Sequence, residues 1–145
     1  AFVGSGISNY ATTYATVLGG SLNCSTANYA TILGGVCNSV IAVGSSIGGG
    51  CFNSIVCKDA FIGGGFCNTI NCSESSIVGG VCNTITAKTA FIGGGFGNTI
   101  SAYSSIYRCQ TISGGYCNTV LGDAGAIGGG YLNVSFGTNA TSNKG

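Results

Sequence analysis

Histidine, proline, methionine and tryptophan are missing from this chain of 145 residues, and charge is scarce, with Asp, Glu, Lys and Arg supplying 5% of the sequence. Each absence excludes something. Without histidine no Ser-His or Cys-His pair can be built, so the usual activated nucleophiles are out of reach. A net charge of +1 gives no electrostatic reason to expect nucleic acid or an anionic membrane as partner. No stretch reaches the roughly 18 apolar residues of a membrane helix, so no membrane insertion is expected. The first residues also lack the basic start and apolar block of a signal peptide. Intrinsic disorder is disfavoured too, because 45% of the residues are hydrophobic, more than disordered chains carry.

What is abundant is glycine, 28 residues of it, set in a repeat. Asparagine recurs at Asn23, Asn38, Asn53, Asn68, Asn83 and Asn98, always 15 residues apart. It then skips 20 to Asn118 and returns to 15 at Asn133, while Asn9 stands 14 before Asn23. A glycine pair keeps the same phase, from Gly19-Gly20 through Gly64-Gly65 to Gly129-Gly130. Self-similarity at a fixed short period is the signature of a repeat architecture.

The columns of the repeat give its cross-section. Six residues before each asparagine stands an aliphatic such as Ile62 or Ile77, with a small residue, Ala60 or Ser75, two before that. Two after the asparagine comes a second apolar column, Val40, Ile55, Ile70, Ile85, Ile100 and Val120, followed two further on by Ala42, Cys57, Cys72, Ala87 and Ala102. Alternation by two in β-branched residues is strand chemistry. The sequence therefore predicts an all-β chain, a single β-solenoid over residues 1–145 with about nine 15-residue coils and two short strands per coil. The glycine pair is assigned to one bend, where positive φ is needed, and the variable polar stretch to the other. The five-residue excess between Asn98 and Asn118 reads as an insertion near Tyr107-Arg108-Cys109-Gln110.

Two readings fit the nine asparagines Asn9, Asn23, Asn38, Asn53, Asn68, Asn83, Asn98, Asn118 and Asn133. Their amides either form a buried ladder, donating to and accepting from neighbouring coils, or each bonds its own backbone in a turn. Neither is catalytic. The run Ile-Gly-Gly-Gly-x-x-Asn-Thr-Ile, at Ile62–Ile70 and Ile92–Ile100, resembles the glycine-rich repeats in head regions of trimeric autotransporter adhesins and of related bacterial and viral fibre proteins. That resemblance implies a β-roll displayed outside the cell or virion, commonly as a trimer. Plant and insect antifreeze β-rolls are a looser likeness.

The supply of chemistry is thin. Asp59 and Glu74 share a column and would stack about 5 Å apart, a separation at which carboxylates serve retaining glycosidases; a solvated corner balanced by Lys58 and Lys88 is the plainer reading. Cysteine offers a choice as well. Cys57 with Cys72, and Cys67 with Cys82, fall on adjacent coils at a separation a disulfide tolerates, or they fill small apolar slots as alanine does. Zinc is disfavoured, since no C-x-x-C spacing occurs and histidine is lacking. Of the four N-x-[ST] sites, Asn71 falls on an outward column and Asn139 at the variable bend, where both can carry glycans, whereas Asn23 and Asn133 belong to the asparagine column and are expected to stay bare.

No catalytic residue, cofactor or metal is expected. An apolar outer surface carrying Phe61, Phe66, Phe91, Phe96, Tyr116 and Tyr131 points to a self-assembling structural subunit of an extracellular filament or surface fibre, its partner further copies of itself. Ala1-Phe2 aligns with Ala60-Phe61, which places the first residues inside a strand, with an open sheet edge to template the next molecule. Two alternatives stand beside this. Thr69, Thr84, Thr99 and Thr119, flanked by Thr86 and Ser101, form part of an ice-binding grid. A receptor-binding fibre head would use the inserted loop.

Overall fold

A computed structural model describes residues 1–12, 14–101 and 109–137. Ala102, Tyr107, Arg108 and Asn139 lie outside them. Within the described residues the chain is all β, with no helix. Eighteen two-residue strands, from Phe2–Val3 to Val134–Ser135, alternate between two nine-stranded sheets. Every neighbour pairing is parallel and in register, as in Ile62↔Ile77 of the first sheet and Ile70↔Ile85 of the second. A third column of single bridges runs between them, Cys51↔Phe66↔Val81↔Phe96↔Tyr116↔Tyr131. With strands about 4.8 Å apart, the stack makes a rod on the order of 40 Å long.

The period-two pattern fixes which side chains go inside. Ile32, Ile47, Ile62, Ile77, Ile92 and Ile112 from the first sheet meet Ile55, Ile70, Ile85 and Ile100 from the second, all fully buried. Each contributes about 1.5–3 kcal/mol by leaving water. The small column two before the first-sheet aliphatics closes the far bend. Where serine replaces alanine there, its hydroxyl is used: Ser75 Oγ donates to the Ala87 carbonyl at 2.9 Å and accepts from the Ala90 amide at 3.1 Å.

The asparagines occupy the near bend, buried from Asn23 onward. Asn68 shows the pattern. Its Nδ2 donates to the Gly64 carbonyl of its own coil at 3.0 Å and to the Gly80 carbonyl of the next at 2.9 Å. A third, longer contact reaches Asn53 Oδ1 at 3.1 Å. An amide has only two N–H groups, so the glycine carbonyls take them and the amide–amide contact is shared. Asn68 Oδ1 accepts from the Asn83 backbone N–H at 3.0 Å. The column is therefore less a chain of amides than a side chain stitching backbone to backbone across coils.

That stitching separates the two glycines of the pair. The second of them, three before the asparagine, has φ between 84 and 99° in every coil. A Cβ at Gly35 would collide with the Gly50 carbonyl and stand 2.6 Å from Asn38 Nδ2. The first glycine is free of this at Gly34, Gly49, Gly79 and Gly114, where a Cβ would meet nothing within 4 Å, whereas Gly94 and Gly129 have φ of 154 and 152° and a Cβ on Gly19 would stand 3.1 Å from Ser5 Oγ; Ser5 already fills that place in the first coil.

Two more left-handed corners complete each coil, and neither depends on glycine. One lies just before the asparagine, at Leu22, Cys37, Phe52, Cys67, Cys82, Cys117 and Leu132, with φ between 51 and 57°. The other lies on the far bend, at Tyr14, Tyr29, Asp59, Glu74, Thr89 and Ala124, with φ between 54 and 61°. Irregular repeat lengths also fall on the far bend. The register steps by 14 residues up to Ala11↔Ser25 and by 15 from Thr16↔Thr31, so the missing residue lies between Ala11 and Thr16. Ile92↔Ile112 and Ile100↔Val120 pair across the longer repeat, so the extra residues lie between Ile100 and Thr111.

Asn68→Ala is expected to lower stability by about 1–3 kcal/mol, because the Gly64 carbonyl loses its donor and the Asn83 N–H its acceptor, while the Gly80 carbonyl keeps only the Phe66 N–H. Gly50→Ala should also destabilise, whereas Gly49→Ala stays within about 0.5 kcal/mol. Denaturant unfolding checks all three, and equal losses for Gly49 and Gly50 would contradict the assigned bend.

Candidate functional site

Charge and apolarity are segregated around the cross-section. All charged side chains among the described residues, Lys58, Asp59, Glu74, Lys88 and Asp123, sit on the far bend, five or six residues after an asparagine. Lys88 Nζ pairs with Glu74 Oε1 at 2.9 Å, and Lys58 Nζ stands 3.8 Å from Asp59 Oδ2. Glu74 thus faces a cation, which fits a solvated corner better than an acid–base pair. Among the described residues no group of three or more Cys, Asp or Glu side chains is placed to hold a metal ion.

The near bend is the opposite. Its nine five-residue segments, including Gly48–Phe52, Gly63–Cys67, Val78–Cys82 and Ser113–Cys117, contain no charged residue and no polar side chain other than serine and tyrosine hydroxyls and cysteine thiols. Phe66, Phe96, Tyr116 and Tyr131 stand exposed in one column along it. Phe96 stacks on Tyr116 with centroids 4.9 Å apart and planes at 11°, and Tyr116 on Tyr131 at 5.2 Å and 17°. Parallel in-register strands impose this spacing on any repeated ring. Phe61 and Phe91, also exposed, lie on the outer face of the first sheet. Phe61 leans toward the same bend, its Cε1 3.6 Å from where a Cβ on Gly63 would be.

The structure adds Phe52, half-exposed and edge-on to Phe66 at 5.8 Å. Sequence reasoning missed it because its column otherwise holds cysteine, leucine, Ser8 and Gly97, and no other ring. A second missed feature is the hydroxyl row of the second sheet, which runs Ser39↔Ser54↔Thr69↔Thr84↔Thr99↔Thr119 in register. The four threonines alone were legible as a row.

Of the two readings of the cysteines, neither Cys57 with Cys72 nor Cys67 with Cys82 is bonded in the structure. All nine cysteines are free thiols. Cys57 Sγ donates to the Asn71 carbonyl at 3.0 Å instead of bonding Cys72. In-register stacking keeps Cβ atoms of neighbouring coils about 4.8 Å apart, beyond the roughly 3.5–4.5 Å a disulfide needs. Cys67 has the further constraint that partial desolvation, then the neighbouring Cys82 and Cys51 thiols, push its thiol above the ordinary range. The thiol form is the unreactive one.

Of the glycan sites, Asn71 is exposed and Asn23 and Asn133 are buried. Asn23 Nδ2 is engaged by the Gly19 and Gly35 carbonyls, and Asn133 Nδ2 by the Gly129 carbonyl. No helix among the described residues is long and apolar enough to cross a membrane. No protein-family model matches the chain, and no curated protein does.

Two expectations follow. Alkylation of Cys67 by iodoacetamide, followed by peptide mass spectrometry, should lag behind free glutathione at pH 8 and rise only at higher pH than an ordinary thiol. In material from a eukaryotic secretory host, glycopeptide mapping should find sugar on Asn71 and none on Asn23 or Asn133. Sugar on either buried site would contradict the inward placement of that column.

Proposed function

We propose that this chain is a non-catalytic structural subunit of an extracellular filament or surface fibre, assembling by stacking and lateral packing of solenoids. The observation that carries the reading is the uncharged near bend with its exposed aromatic column. A monomeric soluble protein rarely leaves so long an apolar strip open to water, and such strips mark interaction surfaces. Confinement of charge among the described residues to the far bend supports it, because charge is depleted at the centre of interfaces. The scarcity of groups for acid–base or nucleophilic work supports a role without chemistry. The likeness to adhesin heads and viral fibres points the same way, to a rigid rod displayed outside a cell or virion.

Sedimentation and negative-stain images at micromolar concentration test this. Fibres or discrete oligomers are expected from the unaltered chain. Phe66→Lys or Phe96→Lys should block assembly while circular dichroism stays β, since each ring already faces water in the single rod. Isolated short rods at every concentration would overturn the reading.

The in-register hydroxyl row from Ser39 to Thr119 favours ice binding as the second reading. Thermal hysteresis in a monodisperse monomer, lost in Thr84→Leu, would establish it in place of the first.

A further inference from the structure

Two columns run side by side along the near bend. One is the first glycine of each pair, with open space where a side chain would be at Gly34, Gly49, Gly79 and Gly114. The other, two residues on, is the column that carries Phe66, Phe96, Tyr116 and Tyr131. Between them lies the obligatory glycine column, Gly65, Gly95, Gly115 and Gly130, which has no side chain either. A groove and a row of knobs thus flank a bare line of backbone.

We propose that a second copy of this chain docks on this bend about a two-fold axis parallel to the rod and running along the bare glycine line. This rests on the assembly reading above and names its contact. Symmetry selects the arrangement. A two-fold axis along the rod exchanges the columns on either side of it, so each copy's rings enter the other's glycine groove at the same height. Tyr116 faces the partner copy's Gly114, and Phe96 faces its Gly94. A two-fold axis across the rod would instead set ring column against ring column and leave both grooves empty. The contact is isologous, one patch against itself, and the two rods point the same way.

The rest of the patch agrees. It carries no charge, so two copies bring no like charges together and bury none unpaired. Nine coils at about 4.8 Å, by a bend of five residues at up to about 3.3 Å each, give a footprint of at most about 700 Å². Protruding rings raise the accessible area above that footprint, toward the roughly 800 Å² per partner of a stable interface. Bare glycine lets the backbones approach closely, and half-exposed rings lose their water.

The axis also decides which cysteines meet. It sets the residue one before the asparagine opposite the residue five before it, so Val78 faces the partner copy's Cys82. Both are exposed. In Val78→Cys, oxidised glutathione should yield a disulfide-linked dimer: the two thiols lose their hydrogens, and two molecules of reduced glutathione form. Mixing light and heavy-isotope protein should place residue 78 and Cys82 on chains of different label. Gly114→Leu, at a position where a Cβ meets nothing, should leave the rod folded and weaken dimerisation by about ten-fold or more. Sedimentation reads the second effect and mass spectrometry the first. Unaltered protein that stays monomeric overturns both the assembly reading and this one. If it assembles, but Gly114→Leu is silent and the cross-link joins Cys82 to Cys82, or no cross-link joins residue 78 to Cys82, assembly stands and this contact is overturned.

Discussion

The structure hangs on one exchange, repeated in nearly every coil, in which an asparagine amide satisfies two glycine carbonyls one coil apart while its oxygen takes the backbone N–H of the next asparagine. At this tight bend the carbonyl of the first glycine has no backbone donor, while that of the second takes one N–H from the neighbouring coil and has room for another, and buried polar groups without partners are costly. Asparagine is the residue that fits. Aspartate would bring no donors, and serine or threonine only one. Once that amide is in place the neighbouring glycine cannot carry a side chain, and the strands on either side are held at a common height. Register, bend and core follow from it together.

Much of this was legible in the sequence because a 15-residue period repeats the same physical problem often enough for its solution to stand out. The inward isoleucines, the two strands per coil and the asparagine column all come from residue types with a narrow range of uses. What was not legible involves residues that say little about backbone. Cys67, Phe52 and Leu22 sit at left-handed φ, yet none of them is a turn signal, because the conformation is imposed by neighbours that lock the corner. The glycine pair misled in a different way. Both members recur equally, but only the second is held by contacts, and a recurring residue does not disclose whether sterics or the outer surface keeps it there.

The same distinction separates core from surface. Inside, one solution recurs from coil to coil. Outside, the near bend varies among Phe, Tyr, Val, Ile, Leu, Cys and Ser and still admits no charge, although its exposed positions face water in a single rod. A restriction that the isolated rod does not need has its cause in what touches the rod. For the cysteines the reverse holds: stacking brings thiols into line without bringing their Cβ atoms close enough to bond, so alignment in a parallel column is not pairing.

A rod wound on a fixed repeat has something like a reading frame. Gaining or losing a residue shifts every later side chain between inside and outside unless the change is taken up before the next strand. Here both departures from 15, one short and one long, fall between the second strand of a coil and the first strand of the next. The near bend, where an amide must meet carbonyls on two levels, tolerates neither. Duplication and deletion in the gene are therefore silent at one corner and destructive at the other, so a lineage of such rods can vary its length and ornament while its glycine-asparagine corner stays fixed.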